Sequence, residues 1–440
     1  MMNSPLKQSL GLGSVVLFGL AYLTPMIVLG TWGPMAVLSQ GTAATAYLLA
    51  AAAILLTAVS YGIMSRLHPV AGSAYTYTRK SLNSHIGFLV GWAILLDYFF
   101  LPMVIWLIGT AYLTSIFPDI PAWIWVLGFI LLTTSINIAG IAAADKVNLV
   151  LMVLQFGVLI LFVLLAARHL IAGGGAAALM SATPFTGRGV PWSASIAGAA
   201  LAAYSFLGFD AVSTLTEETK APARTMPRAI LIIALSGGAI FCLTAYVAQL
   251  AHPGFAFASV DSAAFEIAQE IGGDWFVDLF VATLVASQFA AGLAAQASVG
   301  RLLYAMGRDG VLPRRLFGRL HATFQTPVFN LVLVGIVGLA ALGLDVATST
   351  SFINFGAFLA FTFVNISVIA LHRRGHPGVK NPITGLVVPA LAAVADLYLL
   401  ACLDQAARIL GLIWLCLGVI YLTGLTRFFR RPPPEMDFAE

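Results

Sequence analysis

The chain has 440 residues, of which 60% are hydrophobic and only 9% charged, and apolar runs extend from one end to the other. A water-soluble domain of that size needs far more polar surface, so that class is excluded. The net charge of +4 is accounted for by the topology argued below, and no nucleic acid is needed as a partner.

A helix crosses the hydrocarbon core of a bilayer with about 20 mostly apolar residues. Runs of that kind predict an all-α membrane protein with twelve transmembrane helices, at 12–37, 43–66, 84–115, 122–142, 147–170, 191–216, 229–251, 274–305, 328–344, 351–371, 384–403 and 408–426. Short loops join them, which predicts one polytopic domain over 1–440 with a cytoplasmic tail at 427–440. The first span has no small-residue cleavage pattern and runs straight into Trp32, Gly33 and Pro34, so it reads as a retained helix. With both termini cytoplasmic, the inner loops collect all 22 Lys and Arg except Arg168, Arg188 and Arg408. An odd number of spans would scatter that bias. Cys242, Cys402 and Cys416 lack paired spacing and the seven histidines show no HExxH pattern, so no disulfide, metal or cofactor is expected.

The first span reads GLAYLTPMIVLGTWGP from Gly19 to Pro34, and Pro25 offers no N–H to the carbonyl of Ala21. The sixth reads AYSFLGFDAVSTLTEET from Ala203 to Thr219, with Ser205, Gly208 and Asp210 at mid-depth. Interruptions at corresponding places suggest a five-plus-five inverted repeat, 12–170 and 191–371, with two appended helices at 384–426. Either interruption alone reads equally well as an ordinary kink. The pair, one of them carrying a carboxylate, points to a binding site.

Asp97, Asp210 and Asp396 lie well inside spans, where a charge costs about 3 kcal/mol. No Lys or Arg occupies the middle of a helix to neutralise them, so the missing partner is an external cation or a proton. Asp210 follows the break at Phe206 to Gly208; it reads either as an N-cap or as the group that meets an ammonium or carries a coupled proton. Asp97 stands in LLDYFFLPM, where Pro102 strips the carbonyl of Tyr98 of its donor. Carboxylate, carbonyl and the aromatic rings of Tyr98, Phe99 and Phe100 suit an ammonium, with cation–π attraction of about 0.5 to 2 kcal/mol; a bond to a neighbouring helix is the plainer alternative. Asp396 reads as structural or as a homodimer contact. Glu217 and Glu218, beside Lys220, Arg224 and Arg228, read as a solvated salt-bridge face or as an intracellular gate. Tyr22, Thr24, Ser205 and Phe206 join the candidate substrate site, with Tyr204 as a wall or gate. A membrane enzyme would need converging nucleophile, base or metal ligands, and the sequence offers only a lone GxG at Gly11 and Gly13 with no strand before it.

The segments SFLGFDAVSTLTEET, MPRAI and RLLYAMGRDGVLP (Arg301 to Pro313) resemble the amino acid/polyamine/organocation (APC) transporter superfamily. PVAGSAYTYTRKSLNSHIGFLVGW (Pro69 to Trp92) is similar to that family's re-entrant stretch between helices 2 and 3. Within it, GLAYLTPM, LLDYFFLPM and INFGAFLAFTFVN (Ile353 to Asn365) look closest to bacterial putrescine importers. The resemblance implies a LeuT-like fold in a bacterial inner membrane, helices 1 and 6 unwound at the site, alternating access and proton symport. It also exposes two departures. The helix 1 break, LTPMIVLG from Leu23 to Gly30, lacks the small residues whose N–H groups hold an amino acid's carboxylate, and Gln155 stands where some members carry a coupling lysine. The first departure favours a substrate without a carboxylate, a small cationic amine such as putrescine; the second leaves a carboxylate, Asp210, as the proton carrier. A proton-coupled amino-acid permease or an amine/amino-acid exchanger is the alternative.

Overall fold

A computed structural model describes residues 10–70, 72–140, 145–187 and 189–435, with the side chains of 145–148 and 217 outside the described residues. Lys7, Lys146 and Arg188, three of the residues in the charge argument, therefore fall outside that description, as does the side chain of the candidate gate residue Glu217.

The described chain is helical throughout. The first span divides into α1 (Leu12–Tyr22), α2 (Ile27–Gly30) and α3 (Trp32–Leu38), followed by α4 (Ala43–Leu67) and the short α5 (Ser73–Ser81). Next come α6 (Ser84–Ile116), α7 (Ala122–Ile138), α8 (Asp145–Gly174), the single turn α9 (Thr183–Thr186) and α10 (Trp192–Ala202). The second half holds α11 (Pro222–Ala251), α12 (Ala263–Arg308), the turn α13 (Arg314–Phe317), α14 (Val328–Gly338), α15 (Val346–Arg373), α16 (Val388–Ala401) and α17 (Gln405–Leu425). Among the described residues, ten helical segments are long and apolar enough to cross a membrane, and Ala122–Ile138 and Val328–Leu342 are shorter apolar helices.

Two helices start earlier than the apolar runs predict. α11 begins at Pro222 instead of 229, because Pro222 suits a first helical turn and that turn is basic and solvated, so it carries no apolar signal. α15 begins at Val346 instead of 351: Asp345 accepts the N–H of Thr348 at 2.7 Å, so a hydroxyl-rich stretch that looks like loop is a capped first turn. The span expected at 274–305 is the second part of α12, which bends at Gly273 where φ is +67°.

Packing follows from which faces are apolar all round. α4 runs along α11, and α6 lies between α12 and α15, burying Trp106, Tyr112, Tyr47 and Tyr61 completely. α8, α16 and α17 instead expose Val150, Val153, Leu164, Val394 and Ile420, the surface a lipid-facing helix carries. Polar links fasten the bundle where apolar contact cannot drive helices together in lipid. The Gln296 amide donates to Thr134 at 2.7 Å while its carbonyl oxygen accepts from Asn137 at 3.1 Å, joining α12 to α7. Trp92 and Trp414 each donate an indole N–H to the other's carbonyl, at 2.9 and 2.8 Å, and stack 5.2 Å apart, which clasps α17 onto α6.

Asp396 is fully buried within one chain, its Oδ2 accepting from Thr57 at 2.9 Å and from Asn365 at 3.0 Å. It ties α16 to α4 and α15, which corrects the reading of it as a dimer contact. Asp396→Ala leaves both donors without their acceptor and is expected to cost about 2 kcal/mol of stability or more, whereas Asp396→Asn keeps an acceptor and should cost clearly less. Unfolding of the purified protein in SDS measures the difference.

Candidate functional site

The first interruption begins where α1 ends at Tyr22. Thr24 adopts φ +50°, and this left-handed turn lets its N–H reach the carbonyl of Ala21 at 3.1 Å while its own carbonyl accepts from Ile27 at 2.8 Å. Free carbonyls were expected around Thr24; the turn gives that of Ala21 a new donor, an amide three residues on replacing the one that Pro25 lacks, while among the described residues no main-chain N–H reaches the carbonyls of Tyr22 and Leu23. The hydroxyl of Thr24 rests on the carbonyl of Tyr22 at 3.4 Å.

In the sixth span, α10 gives way at Ala202 to a 3₁₀ turn, Ala203–Phe206, and a second 3₁₀ run, Ala211–Glu218, begins after Asp210. Between them Gly208 adopts φ +111°, a conformation open to glycine alone. A Cβ there would lie 2.3 Å from Cδ1 of Tyr22, so the two interruptions touch through a glycine and a ring. Gly208→Ala is therefore expected to abolish uptake while adding backbone strain of about 1–3 kcal/mol. Uptake assayed together with yield of folded protein checks this. Normal uptake by the variant would show that this contact is dispensable.

A 3₁₀ turn advances three residues per turn, so its side chains leave in three directions. Tyr204 interacts electrostatically with Asp97. Ser205 points instead to α4, its hydroxyl 3.1 Å from that of Tyr47, and Phe206 meets Phe241 of α11 edge-on at 5.2 Å. Ser205 and Phe206 are thus tied to α4 and α11.

Asp97 and Asp210 come together. The two carboxylates interact, and Tyr22, Tyr98 and Tyr204 lie within electrostatic range of Asp97. On α6, Pro102 sits inside the helix one turn beyond and supplies no N–H to the carbonyl of Tyr98. The Oδ1 atom of Asp97 is buried with no hydrogen-bond partner. Asp210 Oδ2 accepts from Ser73 at 3.4 Å, and its side chain makes no cap bond to the 3₁₀ run that follows, which removes the simple N-cap reading. Ion pairs among the described residues form at Arg79–Glu435, His252–Glu270 and Arg308–Asp309, away from all three membrane carboxylates.

Glu218 contributes its backbone. Its carbonyl accepts the N–H of Leu10 at 3.1 Å, and Lys220 donates to the carbonyl of Leu10 at 2.9 Å, making a short parallel bridge between Leu10 and Thr219. Its carboxylate joins none of those ion pairs, so the salt-bridge face expected there is not formed at Glu218. Gln155 is buried with its Oε1 unpartnered. Sequence reasoning missed Ser73, Tyr61 and Tyr77, which gather around Asp210 from α4 and α5. The signal for them is the hydroxyl-rich opening of α5, SAYTYT from Ser73 to Thr78, together with Thr57, Ser60 and Tyr61 on α4.

A family model described as amino acid permease matches residues 10–420. The low-affinity putrescine importer PlaP of Escherichia coli (strain K12) is 39% identical over 98% of this chain and 96% of its own length. The methylthioribose transporter of Bacillus subtilis is 27% identical over 93% of this chain and 90% of its own length, and the branched-chain amino acid permease BcaP of the same organism 25% over 94% and 92%. These relatives are transporters rather than enzymes, and they extend along nearly the whole bundle that carries the paired carboxylates. The chain accordingly belongs to the amino acid permease family of the APC superfamily.

Proposed function

We propose that the chain imports a small cationic amine, putrescine or a close relative, across the inner membrane by proton symport with alternating access. The observation that carries this reading is the unpartnered, buried Oδ1 of Asp97 within electrostatic range of a second carboxylate, Asp210, with no lysine or arginine among the described residues paired to either. One ammonium group meets Asp97 and the carbonyl of Tyr98; Asp210 takes the second ammonium or the coupled proton. Like charges in low dielectric repel strongly, so a cation or proton entering between them is held by both.

The backbone at the first interruption supports an amine over an amino acid. A carboxylate needs free N–H groups. Here Leu23, Thr24 and Ile27 already donate to Gly19, Ala21 and Thr24, and Pro25 has no N–H, which leaves Met26 and Val28 to offer an amide there. The name of the Escherichia coli relative points the same way. In this reading the ten long and two short apolar helices make twelve crossings, residues 12–170 and 191–371 form the inverted repeats, helices 1 and 6 are unwound at mid-membrane, and both termini are cytoplasmic.

Reconstituted protein, loaded into vesicles free of amine, tests all of this at once. Labelled putrescine should accumulate when protons are driven inward, and leucine should not compete. Uptake that needs a preloaded amine or amino acid would establish an exchanger instead, and competition by leucine a general amino-acid permease.

A further inference from the structure

Next to Asp210 lies a group of hydroxyls that the substrate site does not use. Ser73, at the start of α5, donates to Asp210 Oδ2 at 3.4 Å. Tyr61, from α4, brings its hydroxyl close to both Ser73 and Asp210, and Tyr77, from α5, brings its own close to Ser213 on the 3₁₀ run beyond Asp210. Neither tyrosine's approach meets direct hydrogen-bond geometry: the hydroxyls of Tyr61, Tyr77 and Ser213 are all buried without a partner. The rings of Tyr61 and Tyr77 meet edge-on at 6.1 Å, and Phe209 and Phe361 pack against Tyr61 at 5.4 and 5.8 Å.

Buried hydroxyls are rarely left unbonded in a native protein, and three in one apolar enclosure are best satisfied by shared water. The order of groups is also directional. Asp210 stands at the substrate site, whereas Tyr77 and Ser213 lie further along α5 and the 3₁₀ run, toward the end of the bundle where Leu10 pairs with Thr219. Arg79 and Lys80 share α5 with Tyr77 at that end, and Arg79 is paired with Glu435 at 3.6 Å.

We propose that Tyr61, Ser73, Tyr77 and Ser213, with water between them, form the proton exit from Asp210 to the cytoplasmic side. The inference rests on the proton-symport reading above. A proton leaving the Asp210 carboxyl adds to the nearest hydroxyl or water oxygen as that oxygen gives up its own proton to the next. Each member thus gains one O–H bond and loses one, none is left ionised, and the proton emerges in cytoplasmic water. Ser73 and Tyr61 hold the carboxylate at the head of the path, while Tyr77 and Ser213 pass the proton on.

The test uses full-length protein in vesicles carrying a trapped pH-sensitive dye. Exchange of labelled for unlabelled putrescine at equal pH needs no net proton movement, whereas gradient-driven uptake with its dye signal does. Tyr77→Phe and Ser213→Ala remove only hydroxyls. Each is expected to keep exchange within about twofold of the parent while lowering gradient-driven uptake and the dye signal by about tenfold or more. Uptake and dye signal that stay in the parent's proportion to exchange overturn the exit path. Equal loss in both assays overturns it as well, because that is what a packing role produces. If the parent protein itself gives no dye signal, the symport reading fails before any variant is compared.

Discussion

Asp97→Asn is expected to weaken putrescine binding by about 30-fold or more, the result of removing one partner of a desolvated charge pair at about 2 kcal/mol or above. Oδ1 of Asp97 is buried and bonded to nothing, so the carboxylate already bears the cost of leaving water and recovers it when an ammonium arrives. Asparagine preserves the shape but offers the ammonium an amide in place of a charge. Titration calorimetry on purified protein reads the loss directly. A comparison of putrescine with butylamine adds a second readout. If two ammonium groups meet two carboxylates, the variant should bind both amines with similar affinity, because the diamine's advantage depends on Asp97 as well as Asp210. Undiminished binding of putrescine would remove Asp97 from the site.

Asp210→Asn should abolish accumulation: putrescine inside the vesicles should rise no higher than outside, whatever proton gradient is applied. Asp210 lies at the interruption of the sixth span, within electrostatic range of Asp97, and receives a hydrogen bond from Ser73. Gln155, at mid-depth of the fifth span, cannot titrate and so offers no substitute. An amide at position 210 still accepts hydrogen bonds, so the bundle should fold, and binding at Asp97 should survive in weaker form. Concentrative uptake by this variant at the parent's level would refute the assignment of the coupled proton to Asp210.

These residues also show what can be read from the amino acids alone. The helices were legible because lipid exposure demands apolar residues on every outward face, as with Val150, Val153 and Leu164 on α8. Asp97 and Asp210 were legible because a carboxylate in an apolar run is expensive and must have a use. Gly208 was legible as an interruption, but its contact with Tyr22 was not, because that pairing depends on two distant segments meeting. The carbonyl near Thr24 was misjudged for a local reason: a threonine forced into a left-handed turn repairs the gap that proline opens. Directions within a 3₁₀ turn were hidden too, since a reading that assumes 3.6 residues per turn sends Ser205 and Phe206 to the wrong neighbours. Tyr61 and Tyr77 escaped notice because tyrosine in a membrane helix passes for ordinary apolar filling until its hydroxyl is seen to lack a partner.

The pairing of Leu10 with Thr219 has a consequence for timing. Two amide bonds, at 3.1 and 2.9 Å, fasten the approach to α1 onto the segment that leaves the sixth span. Main-chain bonds of this kind contribute only about 0.5–1.5 kcal/mol each, so thermal motion undoes them readily. Both share one residue, Leu10, so they break together, and release is a single event instead of a gradual fraying. A fastening that is weak yet all-or-none suits the alternating access proposed above, in which neither side should linger half-shut.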